Sequence, residues 1–331
     1  MSRRFLTALL VLTLALACAC TGRPDPSEDP VNEDLTVIGM CQVGAESDWR
    51  VANSESMKAV FTEENGYRLL FEDARQKQEN QITAIRKFIQ QQVDYILLMP
   101  LCVTGWDSVL QEAKAAGIPV ILVDRTIETE DESLYAAHVG SDFRWEGDQA
   151  AAWLEETFRK ADGPVNILHI QGSLGSSAQI GRSAALEEAV DRHENWTLLA
   201  QLDGDFTQAK SYEETVRWLD SQPELPVIHA VYCENDNSAF GAIQALEERG
   251  CSCGPEGIRV VSFDATRQGL SNCLEGKISL NVECDPLVGP LVEEVIQTME
   301  QGGTPDRHYY AQEQLFTPEA LSQRFIEQRP Y

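Results

Sequence analysis

The chain of 331 residues carries 26 Lys and Arg against 53 Asp and Glu, a formal charge of −27. At 43% hydrophobic and 24% charged it has the composition of a globular protein, long enough for two domains, and not that of a disordered chain. A pI near 4.5 excludes a nucleic-acid partner, which would need a basic face. The plainest use of the acidity is solubility.

Arg3 and Arg4 precede an apolar run from Phe5 to Ala17, broken only by Thr7 and Thr13. This is the pattern of an export signal, and the run is short for a membrane span. The following Cys18-Ala19-Cys20 resembles a bacterial lipoprotein box, which implies lipidation at Cys18, or at Cys20. The stretch Thr21-Gly-Arg-Pro-Asp-Pro-Ser-Glu-Asp-Pro30 is too polar and Pro-rich to pack and reads as a tether. The expectation is an extracytoplasmic protein that meets the cell membrane only through a lipid anchor. Residues 1–17 would be the signal peptide and 18–34 the lipidated, flexible tether.

From Leu35 onward, strand patterns at 36–41, 67–71, 95–99 and 120–123 alternate with helical patterns near 49–65, 78–91 and 106–116. After a link near 135–140 the rhythm resumes: helix 145–160, strand 165–170, helix 178–190, strand 197–202, helix 208–220, strand 227–232, helix 237–249, strand 258–263. Such alternation predicts βαβ units and parallel sheets. Gly117-Ile-Pro-Val-Ile-Leu-Val-Asp124 and Gly257-Ile-Arg-Val-Val-Ser-Phe-Asp264 echo one another, each a late strand of its half. Two similar α/β lobes follow, with Asp124 and Asp264 facing across a cleft at the strand ends. The competing reading makes each Asp a helix cap.

Seven cysteines lie beyond the tether, an odd number, and Cys41, Cys102 and Cys233 sit in or beside apolar strands as small core residues. Neither Cys251-Ser-Cys253 nor the five histidines present a ligand set at recognisable spacing, so no metal and no cofactor is expected.

The strand ends carry Glu46, Trp49 and Arg50; Asp124 and Arg125; Arg182; Phe206; Asn235; Asp264; and Glu283. Carboxylates and guanidinium forks bind hydroxyl groups through directional, charge-assisted hydrogen bonds, and aromatic rings cover the C–H faces of a sugar. A phosphate would want amide nests and excess positive charge. The chain has no Gly-x-Ser-x-Gly elbow, P-loop or dinucleotide fingerprint. Paired carboxylates could hydrolyse a glycoside, but Arg neighbours are expected to hold both ionised, which removes the general acid.

The segments Gln42-Val-Gly-x-Glu46-Ser47-x-Trp49-Arg50, Gln76 to Ile82, Pro100 to Trp106, Pro119 to Arg125, Gly204-Asp-Phe-Thr207, Asn235-Asp236 and Val282-Glu283 carry a resemblance in their order and spacing. Over roughly residues 36–331 the chain resembles the substrate-binding component of bacterial sugar ABC importers. The class is the ribose/galactose type of periplasmic binding protein, and the resemblance is strongest to its galactofuranose-binding branch. It implies a type I periplasmic binding protein fold, two doubly wound parallel-sheet lobes joined by three crossings, near 138–140, 265–268 or slightly beyond, and 284–286. The first lobe would comprise 35–138 plus 285–304, the second 139–284 plus 305–331, with a final strand near 309–315 in the second. The resemblance makes Trp49 a stacking surface, Arg50 a hydroxyl donor, Asp124 and Arg125 a hydroxyl-binding pair, and Phe206 an apolar wall. Glu46 is a further contact candidate, Arg182, Asn235 and Asp264 close from the second lobe, and Glu283 takes the hinge position where ribose binders carry Gln. One departure is Cys233-Glu234, where family members often have Ala-His before the Asn-Asp pair. The implied partners are a monosaccharide, galactofuranose or a related pentose or hexose, and a permease with its ATPase, for a monomeric, non-enzymatic receptor. Two other roles share these features: a sensor for a chemoreceptor or histidine kinase, and an exported carbohydrate-active enzyme.

Overall fold

The computed structural model describes residues 35–331; the expected signal, tether and lipidated cysteines lie outside the described residues. In chain order the first lobe runs β1 (Thr36–Gln42), α1 (Asp48–Val60), β2 (Tyr67–Asp73), α2 (Gln78–Gln90), β3 (Tyr95–Leu98), α3 (Asp107–Ala115), β4 (Val120–Val123) and β5 (Ala137–Gly140). The second runs α4 (Phe143–Thr157), β6 (Val165–Gln171), α5 (Ser177–Arg192), β7 (Trp196–Asp203), α6 (Gln208–Ser221), β8 (Ala230–Cys233), α7 (Asp236–Glu247), β9 (Arg259–Asp264), α8 (Arg267–Leu274) and β10 (Leu280–Glu283). The chain then forms α9 (Gly289–Glu300), β11 (His308–Tyr310), β12 (Leu315–Phe316) and α10 (Gln323–Gln328).

The strands form two six-stranded sheets, ordered β11-β5-β4-β3-β1-β2 and β12-β10-β9-β8-β6-β7. Every pairing is parallel except β10 with β12. Central strands such as Tyr95–Leu98 and Val120–Val123 are buried throughout, because helices cover both faces of each sheet. Each sheet accordingly has two apolar cores, one per face. Side-chain caps at Ser47, Asp142, Ser176, Thr207, Asn235 and Thr266 start the helices that follow strand ends or crossings. These caps fix where each strand-end loop turns, and the loops build the cleft.

Three expectations are corrected. Residues 137–140 are a strand of the first sheet and not a link. No crossing occurs at 265–268: β9 and β10 are paired neighbours, and α8 between them is an ordinary βαβ connection. His308–Tyr310 pairs in parallel with β5 in the first sheet, so residues 308–310 belong to the first lobe. The edge of β5 is free to receive that strand, while Leu315–Phe316 takes the edge of β10. The crossings therefore lie at 141–142, 284–288 and 311–314.

Candidate functional site

Loops at the carboxyl ends of both sheets converge on a small cleft between the lobes. Its walls include Glu46, Trp49, Arg50, Asp124 and Arg125 from the first lobe, and Phe143, Arg182, Phe206, Asn235 and Asp264 from the second. The lobes touch directly around it: Val103 N donates to Gly175 O (2.9 Å), Thr126 N to Ser177 Oγ (2.9 Å) and Asp48 N to Asn237 Oδ1 (3.2 Å).

The first wall is an alternation of charges. Arg50 Nε donates to Glu46 Oε1 at 2.9 Å, and its Nη2 lies 2.7 Å from Asp124 Oδ2, close but off the hydrogen-bond line. Burial works against the Arg50 charge, yet the carboxylates of Asp124 and Glu46 outweigh it and raise the pKa. Arg125 is worse paired, 3.7 Å from Asp124 and 3.8 Å from Glu46. Burial, and then the charge of Arg50, depress its pKa. Its guanidinium lies 5.1 Å from the Phe206 ring of the opposite lobe, and that of Arg50 lies 4.6 Å from the Trp49 ring. Trp49 is fixed by its indole N–H, which donates to Cys284 O at 2.6 Å.

The second wall is tied down more fully. Arg182 Nε donates to Glu146 Oε2 at 2.6 Å, and the guanidinium lies 5.3 Å from the Phe143 ring and 4.6 Å from the Phe263 ring. Asn235 spends both ends of its amide, accepting from Ser238 N (2.9 Å) and donating to Phe206 O (3.1 Å). Burial pushes the Asp264 carboxyl well above its usual range; Arg182 opposes this, and Asp236 and Glu146 add to it. For Asp264, burial therefore works against the expectation that an Arg neighbour holds its carboxylate ionised.

Asp124 (φ 66°), Phe206 (φ 58°) and Asp264 (φ 100°) all have left-handed backbones, strain typical of residues whose side chains are aimed at a ligand. Neighbours enforce it. His138 Nε2 bonds Asp124 O at 2.8 Å, and a Cβ on Gly172 would stand 2.0 Å from the Phe206 ring, so only glycine admits that ring. Glu46 Oε2, Arg50 Nη1, Asp124 Oδ2, Arg125 Nε and Asp264 Oδ2 are buried without a hydrogen-bond partner. Five such atoms on residues that line one cleft are costly unless a polar ligand meets them.

Nine of the ten residues expected from the sequence line this cleft. Glu283 does not: it lies 2.6 Å from Arg329 Nη2 and accepts from Gln314 N at 3.2 Å, bracing the hinge. Ser47, Phe143, Ala178 and Cys284 also line the cleft and were not singled out. Phe143 follows directly from β5 and the Asp142 cap, a signal hidden when 135–140 is read as a link. The departure at Glu234 is internal to the second lobe, where its carboxylate meets His169 Nε2 (2.9 Å), Ser183 Oγ (2.6 Å) and Gly172 N (2.7 Å). Among the described residues, Glu146, Cys284 and Glu313 bring donor atoms within 4.8 Å of one another. Arg182 is the ion-pair partner of Glu146 in this group.

Residues 38–286 match the model of the periplasmic binding protein domain. The galactofuranose-binding protein YtfQ of Escherichia coli K12 is 34% identical over 86% of this chain and 89% of its own. A Mycobacterium smegmatis protein solved with β-D-fucofuranose superposes with a TM-score of 0.82 at 39% identity, over 88% of this chain and 95% of that one. The arabinose-transporter binding protein of Shewanella sp. ANA-3, solved with α- and β-L-arabinofuranose, gives 0.82 at 36% identity, over 89% and 96%.

Proposed function

The chain belongs to the periplasmic binding protein family, and from that premise we propose that it captures a monosaccharide in its furanose form and delivers it to an ABC importer. The observation that carries the reading is the set of buried charged atoms without hydrogen-bond partners on residues that line one interlobe cleft, flanked by Trp49 and Phe206. Carboxylate oxygens accept from hydroxyl groups and guanidinium N–H groups donate to them, so an alternating wall suits a ring with vicinal hydroxyls. Contacts to both lobes would favour the closed arrangement, since only differential affinity moves such an equilibrium.

The relatives' sugars narrow the class. Galactofuranose, D-fucofuranose and L-arabinofuranose share the configuration of their ring carbons and differ only in the exocyclic tail. The proposed ligand is therefore D-galactofuranose or one of these shortened or deoxygenated counterparts. The closed form would dock on a permease driven by its ATPase. In the proposed arrangement a lipid on Cys18 or Cys20 holds the receptor at the membrane as a monomer, and the sugar leaves unchanged.

Calorimetric titration with D-galactose, D-fucose, L-arabinose, D-ribose and D-glucose tests this. Saturable heat is expected for the first three, with a Kd of roughly 1 μM, about −8 kcal/mol, and much weaker heat for ribose and glucose. Tightest binding of ribose or glucose would overturn the furanose assignment, and turnover of a labelled furanoside would overturn the transport reading.

A further inference from the structure

All three crossings meet at one polar cluster behind the cleft. Ser141, in the first crossing, places its hydroxyl 3.2 Å from the Cys284 thiol of the second and donates it to Glu313 Oε1 in the third. The same Glu313 oxygen accepts from Asp285 N of the second crossing at 3.1 Å. Glu146, near the start of α4, completes the group: it is fully buried, its donor atoms and those of Cys284 and Glu313 lie within 4.8 Å, and its Oε1 has no hydrogen-bond partner.

The charges do not balance if every acid in this group is ionised. The groups facing it are Arg182 from α5, Asp264 at the end of β9, Asp124 just past β4, and Cys284 and Asp285 in the second crossing; Glu283, Arg329 and Tyr331 lie just beyond. Arg182 offers one positive charge and spends it on Glu146 at 2.6 Å. Two carboxylates this close, with one cation between them, retain a proton. Burial and then the charge of Glu146 push the Glu313 carboxyl up to about 9, against the hydrogen bonds from Ser141 and Asp285. Glu313 is only partly buried, which gives the proton a path to solvent.

We propose that the Glu146–Cys284–Glu313 cluster is a proton-binding site of the hinge, and that closure on the sugar takes up a proton there. The coupling rests on the sugar reading above for its ligand. Cys284 belongs to both the cluster and the cleft wall, so parting the lobes admits water to the cluster. A wetted Glu313 returns towards the ordinary carboxyl value of 4.5. The closed form then binds the proton more tightly than the open one. By linkage, sugar affinity is greatest at low pH and declines as pH rises from the ordinary carboxyl range towards the closed-state value.

Calorimetry at pH 7 in buffers of different ionisation enthalpy reads the uptake directly. The wild-type protein should take up about one proton or more per sugar, and its Kd should rise by tenfold or more between pH 6 and pH 8. Glu313→Gln should keep binding, lower the uptake by about one proton and flatten the pH dependence. Equal uptake in both proteins, or none in the wild type, overturns the proposal. Absence of heat with every sugar would overturn the ligand reading instead. Thermal unfolding then decides the proton site, because a raised folded-state pKa stabilises below the unfolded value and is lost as pH rises. With saturating sugar, which holds the closed form, the Tm of the wild type should fall relative to Glu313→Gln from pH 5 to pH 9; parallel curves contradict the site.

Discussion

The two walls of the cleft occupy matching places in matching lobes, yet they are built differently. Each presents an Asp from a late strand with a left-handed backbone, Asp124 and Asp264. Asp124 stands among two guanidinium groups and a second carboxylate, with four polar atoms of that wall left without hydrogen-bond partners. Asp264 faces one guanidinium, Arg182, that is already engaged, and burial drives it towards its neutral form. The same strand-end geometry therefore yields a poorly paired cluster of charges on one side and a wall whose carboxyl is pushed towards neutrality on the other. Position in the fold aims a side chain; its neighbours decide its charge.

Isosteric amides expose that difference. Asp124→Asn should weaken sugar binding by about 2 kcal/mol, roughly 30-fold, because it strands Arg50 and Arg125 as buried, poorly compensated cations. A loss under threefold, measured by calorimetry, would remove this charge cluster from the account. Trp49→Ala should cost about 1.4 kcal/mol, close to tenfold, and should abolish most of the sugar-induced change in tryptophan fluorescence. An unaltered signal would assign the response to Trp106 or another indole. Asp264→Asn should cost only ~0.5 kcal/mol, within about threefold, since an amide resembles a neutral carboxyl. If it proves as damaging as Asp124→Asn, the two walls are equivalent after all. Smallest in affinity is Glu283→Gln, expected to leave sugar binding within about twofold while lowering stability by an amount on the order of 3 kcal/mol, by breaking its buried pair with Arg329. A large affinity loss without a fall in Tm would return Glu283 to the ligand.

Much of this was legible in the sequence because it depends on local pattern. Apolar runs ending in a polar residue and followed by a cap place strand ends correctly, and with them Asp124, Phe206, Asn235 and Asp264. The return of the chain was not legible. The short strands His308–Tyr310 and Leu315–Phe316 carry little pattern of their own, and their sheets are chosen by which edge is free. The partner of Glu283 was not legible for a related reason: alternation along β10 does not reveal an ion pair with Arg329, from the far end of the chain. The upward push on the Asp264 carboxyl depends on burial and on Glu146 and Asp236, which are distant in sequence.

Binding of [1-13C]D-galactose to the protein, followed by 13C NMR, tests the central claim most directly, because the anomeric carbon reports the ring form held in the cleft. The account predicts a bound resonance in the furanose range, enriched far beyond the small furanose fraction free in solution. A bound pyranose resonance, or no bound resonance at saturating sugar, would contradict it.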